Sequence, residues 1–337
     1  MNQVFFLTMK VCNILKKEVK SLKLTDELKR FPYPFKGDTY RYSNNSTLLT
    51  PPKSIDIAED YHKEMNLKRT LLTHHHSRCY HSFPHTKRAQ WEALELVMTH
   101  LVTYFPDSFS FKKEGGKHIF INHILQEEHE FIMGDDFTLA TEPLDFIGRH
   151  VQEDLILMMQ KDGDLYLDAG QLCFPANWSL AFNHGMSFRN IHFPIPGFKG
   201  EGLDERILQF LLGLEAGNPW GRKNWSLMAG NRMDTSLETF DVWGKDRRKV
   251  TVENAGKFVH LRVEVQKLFR LPRSNAILFT IHTHLLPLEK LMTIPEWHRQ
   301  LYQILLELPP HISDYKGISL YKDKVMAYME QKGDSGL

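Results

Sequence analysis

The sequence predicts an α+β domain, an antiparallel β-sheet flanked by helices with an extended N-terminal arm, and three observations carry that reading. Helical patterns and strand pairs are interspersed, which differs from the strict strand-helix alternation that builds a parallel sheet. Two strand pairs are joined by short turn sequences, Lys161-Asp162-Gly163-Asp164 and Leu271-Pro272-Arg273-Ser274. A content of 42% apolar and 12% aromatic residues is enough to fill one sizeable core.

The elements follow in order. Phe31 to Ser54 is rich in Pro, Tyr, Asn and Ser without a period, which predicts an extended arm. Trp91, Leu94, Met98, Leu101, Val102 and Phe105 recur at helical spacing from about Arg88, and Pro106 ends the pattern. Lys117 to Leu125 and Glu130 to Met133 read as short strands. Leu155 to Gln160 and Leu165 to Phe174 flank the Asp-Gly turn and predict a β-hairpin. Ile207, Phe210, Leu211 and Leu214 mark an amphipathic helix closed by Gly217 and Pro219. Val259, Leu261, Val263 and Val265 alternate with His260, Arg262, Glu264 and Gln266, so the longest strand is expected to have one apolar face and one function-capable face. Ala276 to His284 is its returning partner, and Trp297, Leu301, Ile304, Leu305 and Leu308 form a last strong helix before Pro309 and Pro310. The expected organisation is an arm over 1–54, a main domain over 55–317 and a C-terminal helix or tail over 318–337.

Composition narrows the function. The formal net charge is +1, which gives no global field for gripping nucleic acid. Cys12, Cys79 and Cys173 are far apart and odd in number, so a reducing, cytoplasmic setting is expected rather than a disulfide framework. Lys10 interrupts the apolar stretch Met1 to Leu15, no small-residue cleavage site follows it, and a signal peptide is not expected. Apolar residues nowhere else run uninterrupted for the roughly 18 positions of a membrane span. No Gly-rich phosphate loop occurs, so no nucleotide or nicotinamide site of those kinds is expected, and any electrons must come from another protein.

One set of segments is more specific. Val151-Gln152-Glu153-Asp154-Leu155, Leu172-Cys173-Phe174-Pro175-Ala176-Asn177-Trp178, Asn190-Ile191-His192-Phe193-Pro194-Ile195-Pro196-Gly197, Arg222-Lys223-Asn224-Trp225, Leu261-Arg262-Val263-Glu264 and Arg270 to Ile281 occur in this order. Together they resemble the α subunit of haem-dependent oxidative N-demethylases over roughly Phe31 to Gly317, loosely in the N-terminal region. The resemblance implies a PAS-like antiparallel sheet around haem b, and partner subunits with a flavin and iron-sulfur reductase centre and a folate site. It also implies a dioxygen-dependent oxidation of a small methylated amine that releases formaldehyde. Two other functions compete with it, a haem-based sensor and a haem-free binding subunit, because fold alone does not fix function.

Candidate residues follow. His192 is the first choice for the iron ligand, in a segment stiffened by Pro194 and Pro196, with His260, His282 and His284 in reserve. The competing reading is a buried histidine bonded to a backbone carbonyl. Cys173 as a thiolate ligand competes with a small buried core cysteine, and the absence of C-x-x-C-H excludes covalent attachment. Glu264 and Arg262 share one strand face; the first would attract an alkylammonium ion or take its proton, and the second would bind cofactor. The plain alternative for the pair is a solvent-facing salt bridge. Arg222 would bond bound oxygen or a haem propionate, and the added charge of Lys223 beside it would alter what the pocket accepts. Trp178 and Trp225 would form an aromatic wall, with core packing as the alternative. His74, His75, His76, His81 and His85 make a conspicuous run, but neighbouring side chains diverge and no H-E-x-x-H pattern completes a metal site. Lys245 to Lys249 offers a basic stretch for docking a reductase, or simply a solvated loop.

Overall fold

The computed structural model describes residues 25–41, 45–198 and 202–333, so the expectation for Met1 to Leu15 lies outside it. The described residues fall into two units that divide between Phe31 and Pro32. In the first, helix α1 (Asp26–Arg30) is capped by Thr25, whose hydroxyl accepts from Leu28 N.

Among the described residues of the second unit, seven strands form one antiparallel sheet. They are β1 (Thr47–Leu48), β2 (Tyr80–Ser82), β6 (Asp154–Lys161), β7 (Asp164–Gln171), β8 (Trp220–Ala229), β9 (Val259–Arg270) and β10 (Ile277–Pro287). Their order is β1-β8-β9-β10-β6-β7-β2. A smaller sheet holds β3 (Phe109–Glu114), β4 (Lys117–Asn122) and β5 (Glu127–Phe131). The principal helices are α2 (Tyr61–His74), α3 (Lys87–Tyr104), α4 (Pro143–Gly148), α5 (Phe188–His192), α6 (Leu203–Leu212), α7 (Pro295–Glu307) and α8 (Lys322–Gly333). The α+β class read from sequence is therefore what the chain adopts. Among the described residues no helix is long and apolar enough to cross a membrane.

Local chemistry explains the main elements. Asp162 and Gly163 both take positive φ, 51° and 74°, the twist that a two-residue hairpin turn needs to join β6 to β7. The predicted face of α3 is buried through Trp91, Leu94, Met98 and Leu101. It packs in one cluster with Phe109, Phe120 and Phe131 of the small sheet and with Leu155, Leu157, Phe269 and Leu278 of the large one. These large-sheet residues define its back face, because pairing in register places opposed residues on the same side. The front face carries Arg222, Asn224, Arg262, Glu264, Gln266, Phe279 and Ile281. Leu208 and Leu211 of α6 cover one end of it, over Leu165 and Ile277.

Two expectations change. The strand expected to run from Leu165 to Phe174 stops at Gln171, because buried Asp154 accepts hydrogen bonds from Cys173 N at 2.7 Å and Phe174 N at 2.9 Å and turns the chain away. Strand β9 is buried on both sides rather than amphipathic, and its back face also has a polar member, Lys267, paired with Asp56 at 2.5 Å. Burial pushes the Asp154 carboxyl up to about 6, so it is ionised at neutral pH and able to hold both amides. Asp154→Asn sets a side-chain N–H against one of those amides. The expected cost is about 2–4 kcal/mol of unfolding free energy, read from urea denaturation at pH 7. An unchanged midpoint would show that the two amides find other acceptors.

Candidate functional site

The front face has a row of apolar side chains in the middle of the sheet, partly open at Trp220, Leu268 and Phe279 and buried at Ile156. Trp220, Leu268, Phe279 and Ile156 stand side by side across β8, β9, β10 and β6. Phe279 keeps partial exposure on a central strand, where a fully covered sheet would bury it. The adjoining row, Arg222, Gln266 and Ile281, and the next, Asn224, Glu264 and Thr283, are mostly polar. Ile191 and Trp178 approach from the segment after β7 and pack on Ile156, Leu172 and Ile281. Phe182 and Phe193 in the same segment are 68% and 69% exposed.

His192 closes the last turn of α5, which Ser187 caps through its hydroxyl. Its Nδ1 donates to the Phe188 carbonyl at 2.8 Å, so the ring is the tautomer that keeps its lone pair on Nε2. The ring is sandwiched between Phe188 and Phe198, with centroids 4.3 and 5.2 Å away. Burial lowers its pKa to about 4, helped by the nearby positive charge of Arg222 and opposed by the bond to Phe188, so the imidazole is neutral at pH 7.

Glu264 and Arg262 are 6% and 1% exposed, so they are not the solvent-facing pair that the sequence left open. Their contact is Nε to Oε1 at 3.4 Å. The carboxylate of Glu264 also accepts from Asn224 Nδ2 at 3.3 Å and Gln266 Nε2 at 3.0 Å. Arg262 donates to the carbonyls of Met233 at 2.9 Å and Phe174 at 2.5 Å and to Thr283 Oγ1 at 3.1 Å, which commits much of its fork to two loops.

The other candidates separate in space. Trp225 alternates to the back face, where it meets Phe35 edge-on at 5.0 Å, so it does not share a wall with Trp178. Lys223 also points backward and donates to the Tyr33 carbonyl at 3.1 Å. His282 and His284 meet on the back face in a tilted pair at 4.2 Å, and His282 lies 3.3 Å from Glu153 and 3.8 Å from Glu64. Burial pushes the His282 pKa down, but these carboxylates outweigh it and the net direction is up. His260 is on the front face by register, farther along β9. Cys173 is buried beside Cys79, Leu72 and Phe174, and burial raises its thiol pKa well above the usual value, against a thiolate ligand. In the histidine run, His76 pairs with Asp145, His85 with Asp168, and His81 lies against His184 in a tilted pair at 5.2 Å. In the basic stretch, Arg247 lies over Phe240 and Trp243, Lys249 pairs with Asp246, and Lys245 and Arg248 are exposed.

A family model described as "haem-dependent oxidative N-demethylase, alpha subunit-like" matches residues 46–326. The chain belongs to that family. In this N-demethylase α subunit-like chain the matched stretch contains every strand described above and all of α2 to α7, so the front face and α5 both fall inside it. The residues present fit haem: an apolar floor suits a flat macrocycle, His192 offers a lone pair on a rigidly held ring, and Arg222 supplies a cation at the polar margin.

Lys316 is the site residue that sequence reasoning missed. Its Nζ donates to the Trp225 carbonyl at 2.7 Å and lies 4.8 Å from that ring's centroid. Burial lowers its pKa to about 8, with Glu264 resisting and Arg222 assisting the shift. A single lysine in the loop before Gly317 carried no periodic or motif signal; only the fold brings it within the field of Glu264.

Proposed function

We propose that this chain is the haem-bearing subunit of an oxidative N-demethylase acting on a small methylated amine. The observation that carries the reading is His192, its Nδ1 fixed to Phe188 and its Nε2 left as a donor, within the field of Arg222 on the face that carries Glu264. The sheet is taken as PAS-like, the haem as haem b and the setting as cytoplasmic, in keeping with the family.

Haem held there supplies the dioxygen chemistry that replaces a C–H bond beside nitrogen with C–OH. The stoichiometry is one amine, one dioxygen, two electrons and two protons giving carbinolamine and water; the carbinolamine then splits into formaldehyde and the demethylated amine. Residues of this chain do the rest. Glu264 draws in the ammonium form and takes its proton before oxidation, held in place by Asn224 and Gln266. Arg262 stands beside that carboxylate and fixes the loops after β7 and β8. Arg222 would hold a haem propionate, Trp178 would contribute an apolar wall, and α5 with α6 would exclude bulk water. Electrons come from a separate flavin and iron-sulfur reductase, with a folate-binding subunit receiving formaldehyde.

The test begins with haem titration, expected to saturate at about one haem per chain with a Soret band. NADPH, dioxygen and a panel of methylated amines are then expected to give formaldehyde only when the reductase is added. NADPH-driven formaldehyde from the chain alone would refute the division of labour. Haem binding without turnover on any amine, even with chemical reductant, would favour the sensor, and no haem binding at all would favour the binding subunit.

A further inference from the structure

Behind the large sheet, the small sheet and the end of α4 bring together Glu127, His129 and His150. Alternation along β5 puts Glu127 and His129 on the same side of that strand, and His150 follows α4 into the core. One potential ligand atom from each residue lies within 4.8 Å of the other two. Glu127 Oε2 is 3.6 Å from His129 Nε2 and 3.8 Å from His150 Nδ1.

We infer that Glu127, His129 and His150 form a binding site for a late first-row divalent metal such as zinc, separate from the haem site. Two donors bound to zinc at about 2.0–2.2 Å with a tetrahedral angle stand roughly 3.4 Å apart, so the two contacts that Glu127 makes need to contract by only a few tenths of an ångström. Two imidazoles and one carboxylate suit zinc, copper or nickel better than magnesium or calcium, which favour all-oxygen shells. His129 Nε2 is a buried nitrogen that makes no hydrogen bond. Asn122 Nδ2 is 3.4 Å from His150 Nδ1, beyond the usual range, so that lone pair is only weakly engaged.

The surrounding residues orient the donors. Arg69 grips both oxygens of Glu127 and also donates to the Arg149 carbonyl at 2.9 Å, and Phe146 packs against both imidazoles with centroids 5.1 Å away. The guanidinium charge beside the site opposes a dication, so affinity falls short of structural zinc-finger sites. A bound ion ties β5 to the segment that enters β6, and α2 joins the same clip through Arg69.

The test uses the full chain stripped with chelator, zinc chloride titrated by calorimetry, and thermal melts with and without zinc. The expected result is one zinc per chain and a midpoint rise of roughly 5 °C at a hundredfold excess over the dissociation constant. His129→Ala, at a half-exposed position that tolerates truncation, is expected to weaken binding at least tenfold while the zinc-free melt stays close to the parent's. Glu127→Gln gives a second variant of nearly the same shape and is expected to weaken binding similarly. A triple variant of the exposed His74, His75 and His76 is expected to bind as the parent does. Absence of zinc binding, or binding lost in that triple variant and kept in His129→Ala, would overturn the assignment.

Discussion

His192→Ala is expected to lose haem, with the Soret band falling to background after gel filtration and affinity dropping on the order of a hundredfold or more. The argument rests on how little freedom the ring has. Its Nδ1–H is engaged by Phe188, two phenyl rings hold its plane, and its pKa near 4 keeps it unprotonated across the physiological range. Truncation to Ala leaves a ring-sized gap, and millimolar imidazole is expected to fill it and restore the absorption. That rescue separates a ligand from a packing residue, since free imidazole cannot repair a fold. Full haem retention with unchanged spin state in His192→Ala would sink the assignment and move it to His260, which lies on the front face where His282 and His284 do not.

Glu264→Gln is expected to retain haem but to lose about a hundredfold in kcat/KM for amine. The substitution keeps the shape that Asn224 and Gln266 recognise and removes the charge that attracts ammonium. It also leaves Arg262 without its carboxylate and removes the negative field that holds the Lys316 pKa up. The pH profile therefore provides a second readout. In the parent chain Lys316 sheds its proton around pH 8, and without Glu264 this step moves to lower pH, so the alkaline limb of the profile shifts in that direction. Parental turnover with an unmoved limb would assign Glu264 a purely architectural role.

What the sequence revealed depended on whether function disturbed the hydrophobic pattern. The β6–β7 hairpin was legible because Asp-Gly has one conformational purpose there, and α3 because its buried face is uniformly apolar. Helix α2 escaped notice because its buried face includes Glu64 and Lys68, the latter donating to the Val151 carbonyl at 3.0 Å. Strand β8 was hidden for a similar reason, since Trp-Gly-Arg-Lys-Asn-Trp-Ser has no β-branched residue and becomes a strand through pairing with β9. Glu264 and Arg262 could be proposed because a period of two put them on one face, and Arg222 because of its permanent charge in a family-like segment; its place on the same face, and the separation of Trp178 from Trp225, came only with the pairing of β8. The triad of Glu127, His129 and His150 joins two strand residues to a third from beyond α4, a combination without a sequence motif.

The order of the large sheet has a consequence for the timing of folding. The segment bearing Trp178 and His192 leaves β7 and returns in β8, yet β6, β10 and β9 lie between those two strands. Four neighbour-to-neighbour steps at about 4.8 Å set its two anchors roughly 19 Å apart. Hairpins β6–β7 and β9–β10 can each form locally, but the seam where β10 meets β6 joins distant parts of the chain and closes late. Until it closes, the two ends of the segment have no fixed separation and His192 no fixed direction. On the proposed role of His192, cofactor capture is a late event in assembly, following the long-range step rather than nucleating it.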